Sequence, residues 1–250
     1  MDMHTMSYGE QGCPRIDKRL DRKIGGVLMF NHIPIRKPLP NLKRKNEDHK
    51  RVYYDDEGNR YHSVTNVVGS IDQTGLEEWR KAVGEDVANY VSRKAMNLGT
   101  KVHKIIEDNL YNKKITEENI FAKAHFQNIQ PLLQAITDIR GLELKICSKD
   151  LGLAGTADCI AEYNGVLSII DFKTSSKQKK EEWILKYFLQ TTAYALMWEE
   201  ATGEKVDQIV VLITGEDGSR EEYIRNKQDY IEELHKVIES FNEWHNTKTG

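Results

Sequence analysis

An acid and a lysine lie two residues apart at the end of a run that otherwise suits a buried strand. The run is "LSIIDFKTS", residues 167–175, and it contains Asp171 and Lys173. Side chains of a strand alternate between its two faces, so both groups point the same way. An exposed ion pair is the ordinary explanation of such a pair near a strand end. A second acid in the preceding strand changes that interpretation.

That second acid is Asp158, which the chain folds back toward Asp171 through a tight turn. Asn164-Gly165 is a strong signal for a two-residue hairpin loop, and in this register paired residue numbers sum to 329. Asp158 then lies opposite Asp171, with Cβ atoms about 4.5–5.5 Å apart, where like charges repel. Two such carboxylates either share a proton or hold a cation. A bulge would shift this register.

Hydrophobic periodicity places these residues in a mixed α/β chain. A hairpin is expected over 51–68, and helices over 75–83, 85–114, 117–139, 179–203 and about 227–245. Period-two runs predict a three-stranded meander over 142–150, 153–163 and 166–174, followed by a strand pair over 206–214 and 220–225. Gly99 marks a break or a close contact in the second helix, and Pro131 marks a kink or restart. The fold class is therefore a central mixed sheet flanked by helices.

Composition excludes several classes of protein. The net charge of −3 gives no global signature of nucleic-acid binding, and no apolar run approaches the eighteen or so residues of a membrane helix. Acids near the start argue against a signal or transit peptide, namely Asp2, Glu10, Asp17 and Asp21. Three scattered cysteines, Cys13, Cys147 and Cys159, suit a reducing compartment and have no metal-site spacing. We expect a cytoplasmic protein.

Several short motifs resemble the PD-(D/E)XK nuclease superfamily. "GTAD" followed by "IIDFKTS" resembles its core, with Asp158, Asp171 and Lys173 as the two acids and the lysine. Gln190 and Tyr194 match the Gln-x-x-x-Tyr helix motif of the RecB-type branch. Further upstream, "LGTKVHKIIE" contains Gly99 and His103 and matches the Gly-x-x-x-His motif of the same branch. The order of "YHSVTNVV", "EEWR" and "GTKVH" is similar to the mitochondrial genome maintenance exonucleases and their phage-encoded relatives, over residues 39–224.

The resemblance implies roles for individual residues. One or two Mg²⁺ or Mn²⁺ ions are expected on His103, Asp158, Asp171 and the backbone carbonyl of Phe172, without an iron–sulfur cluster. Catalytic roles are expected for Asp158, Asp171, Lys173, Gln190 and Tyr194, with Glu143 and Glu107 supporting the site from a greater distance. Contacts to DNA are expected from Arg93, Lys101, Thr174, Ser175, Lys177, Lys179 and Lys180.

The start of the chain mixes charge, proline and glycine without sustained periodicity. Residues 1–50 are therefore expected to form an extended, partly ordered lead-in. Its basic run either contacts phosphate or is solvated, and consists of Arg36, Lys37, Lys43, Arg44, Lys45, Lys50 and Arg51. Residues 51–250 are expected to form a single nuclease domain. It comprises a helical arch over about 76–140, a catalytic sheet and helix over about 141–224, and the C-terminal helix.

The function implied is a metal-dependent exonuclease that hydrolyses single-stranded DNA from a free end, in replication, repair or recombination. A phage-encoded protein in the cytoplasm of its bacterial host is expected, with a separate helicase or replisome component as a candidate partner. An endonuclease that cuts duplex DNA or particular DNA structures would use the same core. The same residues also allow RNA as the substrate, and a DNA-binding module without catalytic activity is a further hypothesis.

Overall fold

A computed structural model describes residues 23–24, 27–47, 50–71, 74–179 and 184–249. The strands are β1 Lys23–Ile24, β2 Val27–Leu28, β3 Lys43–Glu47, β4 Lys50–Tyr54, β5 Arg60–Ser63, β6 Ile136–Ser148, β7 Leu153–Tyr163, β8 Val166–Ser175, β9 Gln208–Gly215 and β10 Arg220–Asn226. The helices are α1 Val64–Val68, α2 Thr74–Val83, α3 Glu85–Leu110, α4 Ile120–Leu133, α5 Leu185–Thr202 and α6 Ile231–Thr249, which follows a 3₁₀ turn at Lys227–Tyr230.

The central feature is an eight-stranded mixed sheet with helices on both faces. Its strands run in the order β10-β9-β8-β7-β5-β4-β3, and β6 pairs with β7. On one face α1, α5 and α6 pack in what we call the α5-side core, with Val67, Leu189 and Leu234 among its residues. On the other face α3 and α4 pack in the α3-side core, with Ile105 and Ile129 among its residues. The predicted fold class is confirmed. No helix in the described part of the chain has the length and apolar character needed to cross a membrane.

The predicted meander and its register are confirmed over the turn. β6 pairs with β7 and β7 with β8, both antiparallel. Asn164 and Gly165 have φ values of 53° and 81°, the positive values that a type I′ two-residue turn requires. The pairs run from Tyr163–Val166 to Cys159–Ile170, and each sums to 329. The local turn signal therefore sets the alignment of the two strands that carry the acids.

Two of the predicted elements are wrong in part. Residues 64–68, expected to continue the strand of a hairpin, form α1, and Val64, Val67 and Val68 are buried at helical spacing. Burial of this face outweighs the β-propensity of valine, which depends on context. Residues 136–139, expected to be helical, begin β6, where Ile136 pairs with Tyr163. α4 ends at Leu133, soon after Pro131.

The basic run lies partly within the sheet. β3 and β4 form an antiparallel hairpin with Glu47 opposite Lys50. The domain boundary expected at residue 50 therefore falls inside a hairpin, and residues 43–47 are an edge strand rather than an extended lead-in. Most of the expected lead-in, residues 1–22 with Cys13, lies outside the described residues.

The apolar stripe of α3 is buried along only half of the helix. Val102, Ile105, Ile106 and Leu110 are buried, whereas Val87, Tyr90, Val91 and Met96 are exposed, Tyr90 by 63%. The helix continues through Gly99 without a break. A Cβ on Gly99 would lie 3.4 Å from Thr174 Oγ1, so this glycine lets α3 approach the end of β8 closely. Tyr90 is therefore not part of the core.

Candidate active site

Asp171 and Lys173 point to the same side of β8, as the strand period predicts. Lys173 Nζ donates a hydrogen bond to Asp171 Oδ1 at 2.7 Å. Gln190 Nε2, on α5, donates to the same oxygen at 2.9 Å. Asp171 is only 1% exposed. Two donors from two elements therefore hold this carboxylate in one orientation.

The electrostatics of this pair favour a charged lysine. Burial raises the pKa of Asp171, and the charge of Asp158 raises it further against the opposing effect of Lys173. Burial alone would lower the pKa of Lys173, but the charges of Asp171 and Asp158 outweigh it, and the pKa is raised. Lys173 is therefore an ammonium at neutral pH, a donor and a positive charge rather than a base.

A second group of side chains lies on the other side of the Phe172 backbone from Lys173. Asp158 Oδ2 accepts a hydrogen bond from the backbone N–H of Phe172 at 2.9 Å. His103 Nε2, from α3, donates to the carbonyl oxygen of Phe172 at 2.8 Å. His103 Nδ1 lies 3.7 Å from Glu143 Oε1 and 3.7 Å from Asp158 Oδ2. The backbone N–H and C=O of one residue, Phe172, thus orient both an acid and a histidine.

The donor set of His103, Glu143 and Asp158 suits a divalent cation. Their ligand atoms all lie within 4.8 Å of one another. Because Nε2 donates to a carbonyl, Nδ1 faces two carboxylates and needs either a proton or a cation there. Burial opposes a proton on His103, but Asp158 and Glu143 outweigh it and raise the pKa to about 9. Imidazole nitrogen and carboxylate oxygen are ligands that Mn²⁺ accepts, and carboxylates also suit Mg²⁺.

At Asp158 and at Glu143 the regular alternation of side chains between the two faces of the sheet is interrupted. Ala157 packs in the α5-side core and Cys159 in the α3-side core, although residues two apart in a regular strand share a face. Glu143, on the neighbouring strand, has a φ of 46°, which is rare in residues other than glycine. The described β7–β8 ladder ends at Cys159–Ile170. Asp158 is therefore bonded to the Phe172 amide, and the direct pairing expected with Asp171 is not formed.

The two residues of the α5 motif make different contacts. Gln190 donates to Asp171. Tyr194 is buried against β7, where a Cβ on Gly155 would lie 2.7 Å from its ring and hydroxyl. Lys173 Nζ lies 5.1 Å from the centroid of Tyr187, a cation–π contact. The spacing of Tyr187, Gln190 and Tyr194 on one helix face was the signal for this arrangement.

The remaining site candidates lie around this centre. Glu107 is 3.4 Å from Lys104 Nζ, and Lys101 Nζ is 3.5 Å from Glu117. Arg93 is exposed and donates to the carbonyl of Asn89.

Four further candidates lie at or just after the end of β8. Ser175 Oγ donates to the carbonyl of Lys177, which is exposed. The backbone N–H of Lys179 donates to Glu221, and burial lowers the pKa of the Lys179 amine. Lys180 lies outside the described residues.

A cavity of about 420 Å³ opens beside the end of β8. Its polar wall follows directly after Lys173 and includes Thr174, Ser175 and Lys179. Its other wall comes from α3 and includes Tyr90, Val91, Lys94 and Leu98. Part of the exposed half of the α3 stripe therefore faces Lys179 and the hydroxyls of Thr174 and Ser175 across a cavity that Glu216 also lines, next to the candidate active site.

Residues 41–248 match the family described as the PD-(D/E)XK nuclease superfamily. The chain is 31% identical over 111 residues to mitochondrial genome maintenance exonuclease 1 of Homo sapiens, which covers 42% of this chain and 32% of that protein. It is 29% identical over 157 residues to the same protein of Xenopus tropicalis, and this match covers 58% of this chain and 44% of that protein. The chain thus matches less than half the length of either relative.

Among solved structures, a candidate exonuclease of Eubacterium rectale overlaps with a TM-score of 0.46 and 16% sequence identity. The overlap covers 62% of this chain and 68% of that chain. Similarity at this level supports no inference.

Proposed function

The chain belongs to the PD-(D/E)XK nuclease superfamily, and from this membership we propose that it is a metal-dependent deoxyribonuclease that removes nucleotides from the end of single-stranded DNA. One observation carries the proposal. A largely buried lysine ammonium and a three-donor cation set lie on either side of the Phe172 backbone. A scissile phosphate beside this residue would meet a positive charge from both sides.

We propose His103, Glu143 and Asp158 as the residues that hold the cation, Mg²⁺ or Mn²⁺. A divalent ion bound there would lower the pKa of a water molecule and neutralise charge on the phosphate. The Phe172 carbonyl borders this set and is a further candidate ligand. Asp171, which the resemblance implies as a ligand, already accepts two hydrogen bonds at Oδ1. We propose that its main role is to position Lys173.

Lys173 would stabilise negative charge on the phosphate oxygens as the attacking oxygen adds. Its charge is fixed by Asp171 and its position by the Tyr187 ring, so little reorganisation accompanies the reaction. Preorganised donors of this kind act most strongly in sites shielded from water. Lys173 fits this condition because only 20% of its side chain is exposed.

The cavity beside β8 supports a single-stranded substrate. Tyr90 and Val91 offer exposed apolar surface to bases, while Lys94 and Lys179 are placed for backbone phosphates. Proteins that bind single strands combine stacking surfaces with a positively charged groove in this way. The resemblance supports further roles in replication, repair or recombination, alongside a separate helicase and in a phage-infected host.

The test compares an end-labelled linear single strand with a covalently closed circular single strand, each with Mg²⁺ or with EDTA. We expect loss of the linear strand only, and only with Mg²⁺. Cutting of the single-stranded circle would show an endonuclease. A closed circular duplex and an RNA strand, incubated in parallel, would test duplex DNA and RNA as alternative substrates. Binding without degradation under all conditions would overturn the proposal.

A further inference from the structure

A cavity of about 660 Å³ lies away from the candidate active site, between β4, α1 and α6. Its lining consists of Lys50, Thr65, Asn66, Gly69, Ser70, Ser240, Phe241 and Trp244. Two aromatic rings, a lysine and an amide thus converge on it. This is the composition of a site that binds a ligand with both apolar and charged parts.

Two lysines of the β3–β4 hairpin lie over aromatic rings near this cavity. Lys50 Nζ is 4.3 Å from the ring centroid of Trp244, and Lys45 Nζ is 4.8 Å from that of Tyr54. Lys45 pairs with Val52 across the hairpin, so Lys45 and Lys50 share one face. Trp244 is 44% exposed. We call Lys45, Lys50, Tyr54, Phe241 and Trp244 the hairpin–α6 surface.

The charge on this face is positive. Lys43, Lys45 and Lys50 lie along it with Glu47, and Lys43 Nζ is 3.8 Å from the carboxylate of Asp56. Tyr54 donates to Glu47 Oε1 at 2.7 Å, and Arg60 Nε is 3.2 Å from Oε2. Because Arg60 balances the charge of Glu47, this acid does not offset Lys45 and Lys50. A basic face interleaved with aromatic rings suits the backbone and bases of a single nucleic-acid strand.

We propose that the hairpin–α6 surface is a second binding site for the single-stranded substrate, with a base stacked on Trp244 and phosphates on Lys50 and Lys45. In the sheet, only β5 separates β4 from β7, the strand that carries Asp158. The choice of nucleic acid as ligand rests on the proposed nuclease function.

The test measures binding without cleavage. A labelled oligothymidylate of about 16 nucleotides, a length that spans a single-strand site, is titrated with protein in EDTA and followed by fluorescence anisotropy. We expect Trp244→Ala to weaken binding about fivefold or more, since one stacked base contributes at least about 1 kcal/mol. Lys50→Ala should reduce the slope of log K against log salt by about 0.7, the value for one phosphate contact to a single strand.

The matched control is Lys236→Ala on α6, where the lysine is exposed and paired with Glu232 at 2.7 Å. It should change neither affinity nor salt slope. Circular dichroism checks each variant for folding, and if Trp244→Ala does not fold, Lys50→Ala and Lys45→Ala decide the question alone. Wild-type affinity and slope in both lysine variants would overturn this proposal. Failure of the wild type to cleave DNA would overturn the nuclease proposal and leave the binding result standing.

Discussion

Lys173 and Gln190 donate hydrogen bonds to the same oxygen of Asp171, at 2.7 Å and 2.9 Å. The lysine comes from the strand and the glutamine from the helix packed on it, so the contact joins two elements through one buried carboxylate. Removing either donor leaves a buried carboxylate with one hydrogen bond fewer. Variants at this carboxylate and at the neighbouring cation set should therefore change both stability and catalysis.

Gln190→Ala should lower both stability and turnover. The substitution leaves a buried carboxylate oxygen with one donor fewer, which costs about 1–3 kcal/mol. Turnover should fall because Asp171 no longer holds Lys173 in a single position. Urea unfolding and steady-state kinetics measure the two effects, with Gln178→Ala at an exposed position as the control. Unchanged kcat in a folded Gln190→Ala protein would show that the glutamine has only a structural role.

Lys173→Ala should reduce kcat by about 10²–10³, the loss seen when one preorganised donor is removed. DNA affinity in EDTA should stay close to wild type, since Lys173 is one cation among several near the strand. Single-turnover cleavage and anisotropy separate these quantities. Lys205→Ala, an exposed lysine, serves as control. Residual activity near the wild-type rate would remove Lys173 from the proposed mechanism.

Glu143→Gln should weaken Mn²⁺ binding by about tenfold or more, because even groups that only support a ligand commonly contribute that much. His103→Ala should have a similar effect. Calorimetric titration with Mn²⁺ measures affinity without requiring activity. Glu107→Gln, whose carboxylate pairs with Lys104, is the matched acid control and should have a smaller effect. Equal losses in Glu107→Gln and Glu143→Gln would argue against the three-residue site.

Gly155→Ala should destabilise the fold by about 1–3 kcal/mol through overpacking. A Cβ there would lie 2.7 Å from Tyr194, which is buried and cannot move aside freely. Gly75→Ala is the control, since a Cβ at that helical position meets nothing within 4 Å and should leave stability unchanged or slightly higher. Thermal unfolding of both variants checks the prediction. A stable Gly155→Ala protein would show that Tyr194 can shift.

Stability should fall with acidification in a way that depends on His62. Burial is the main cause that lowers the pKa of His62, and together with the nearby charges of Arg60, His245 and Lys50 it brings the pKa to about 4. The unfolded chain takes up a proton near pH 6.5, whereas the folded chain does so only near pH 4, so stability is lost as pH falls through this window.

His62→Phe should reduce that loss, because phenylalanine keeps an aromatic ring beside Phe241 and binds no proton. Urea midpoints at pH 7 and pH 5 test the prediction. An equal drop in both proteins would assign the effect to other groups.

Local patterns in the sequence determined the part of the site that lies on neighbouring residues. Asn164-Gly165 set the β7–β8 register, and the period of two placed Asp171 and Lys173 on one face, because both effects act over a few residues. The helical spacing of Gln190 and Tyr194 likewise put both on the face of α5 that meets the sheet. The superfamily could be recognised from these motifs alone.

Tertiary structure decided the rest, since it depends on contacts between residues distant in the sequence. His103 reaches the Phe172 peptide across 69 positions. Glu143 approaches His103 from a position in β6 that has a positive φ, and no period-two pattern indicates such a position. The exposed half of α3 and the helix at residues 64–68 could not be predicted from periodicity, because an apolar stripe has the same pattern whether a partner covers it or not.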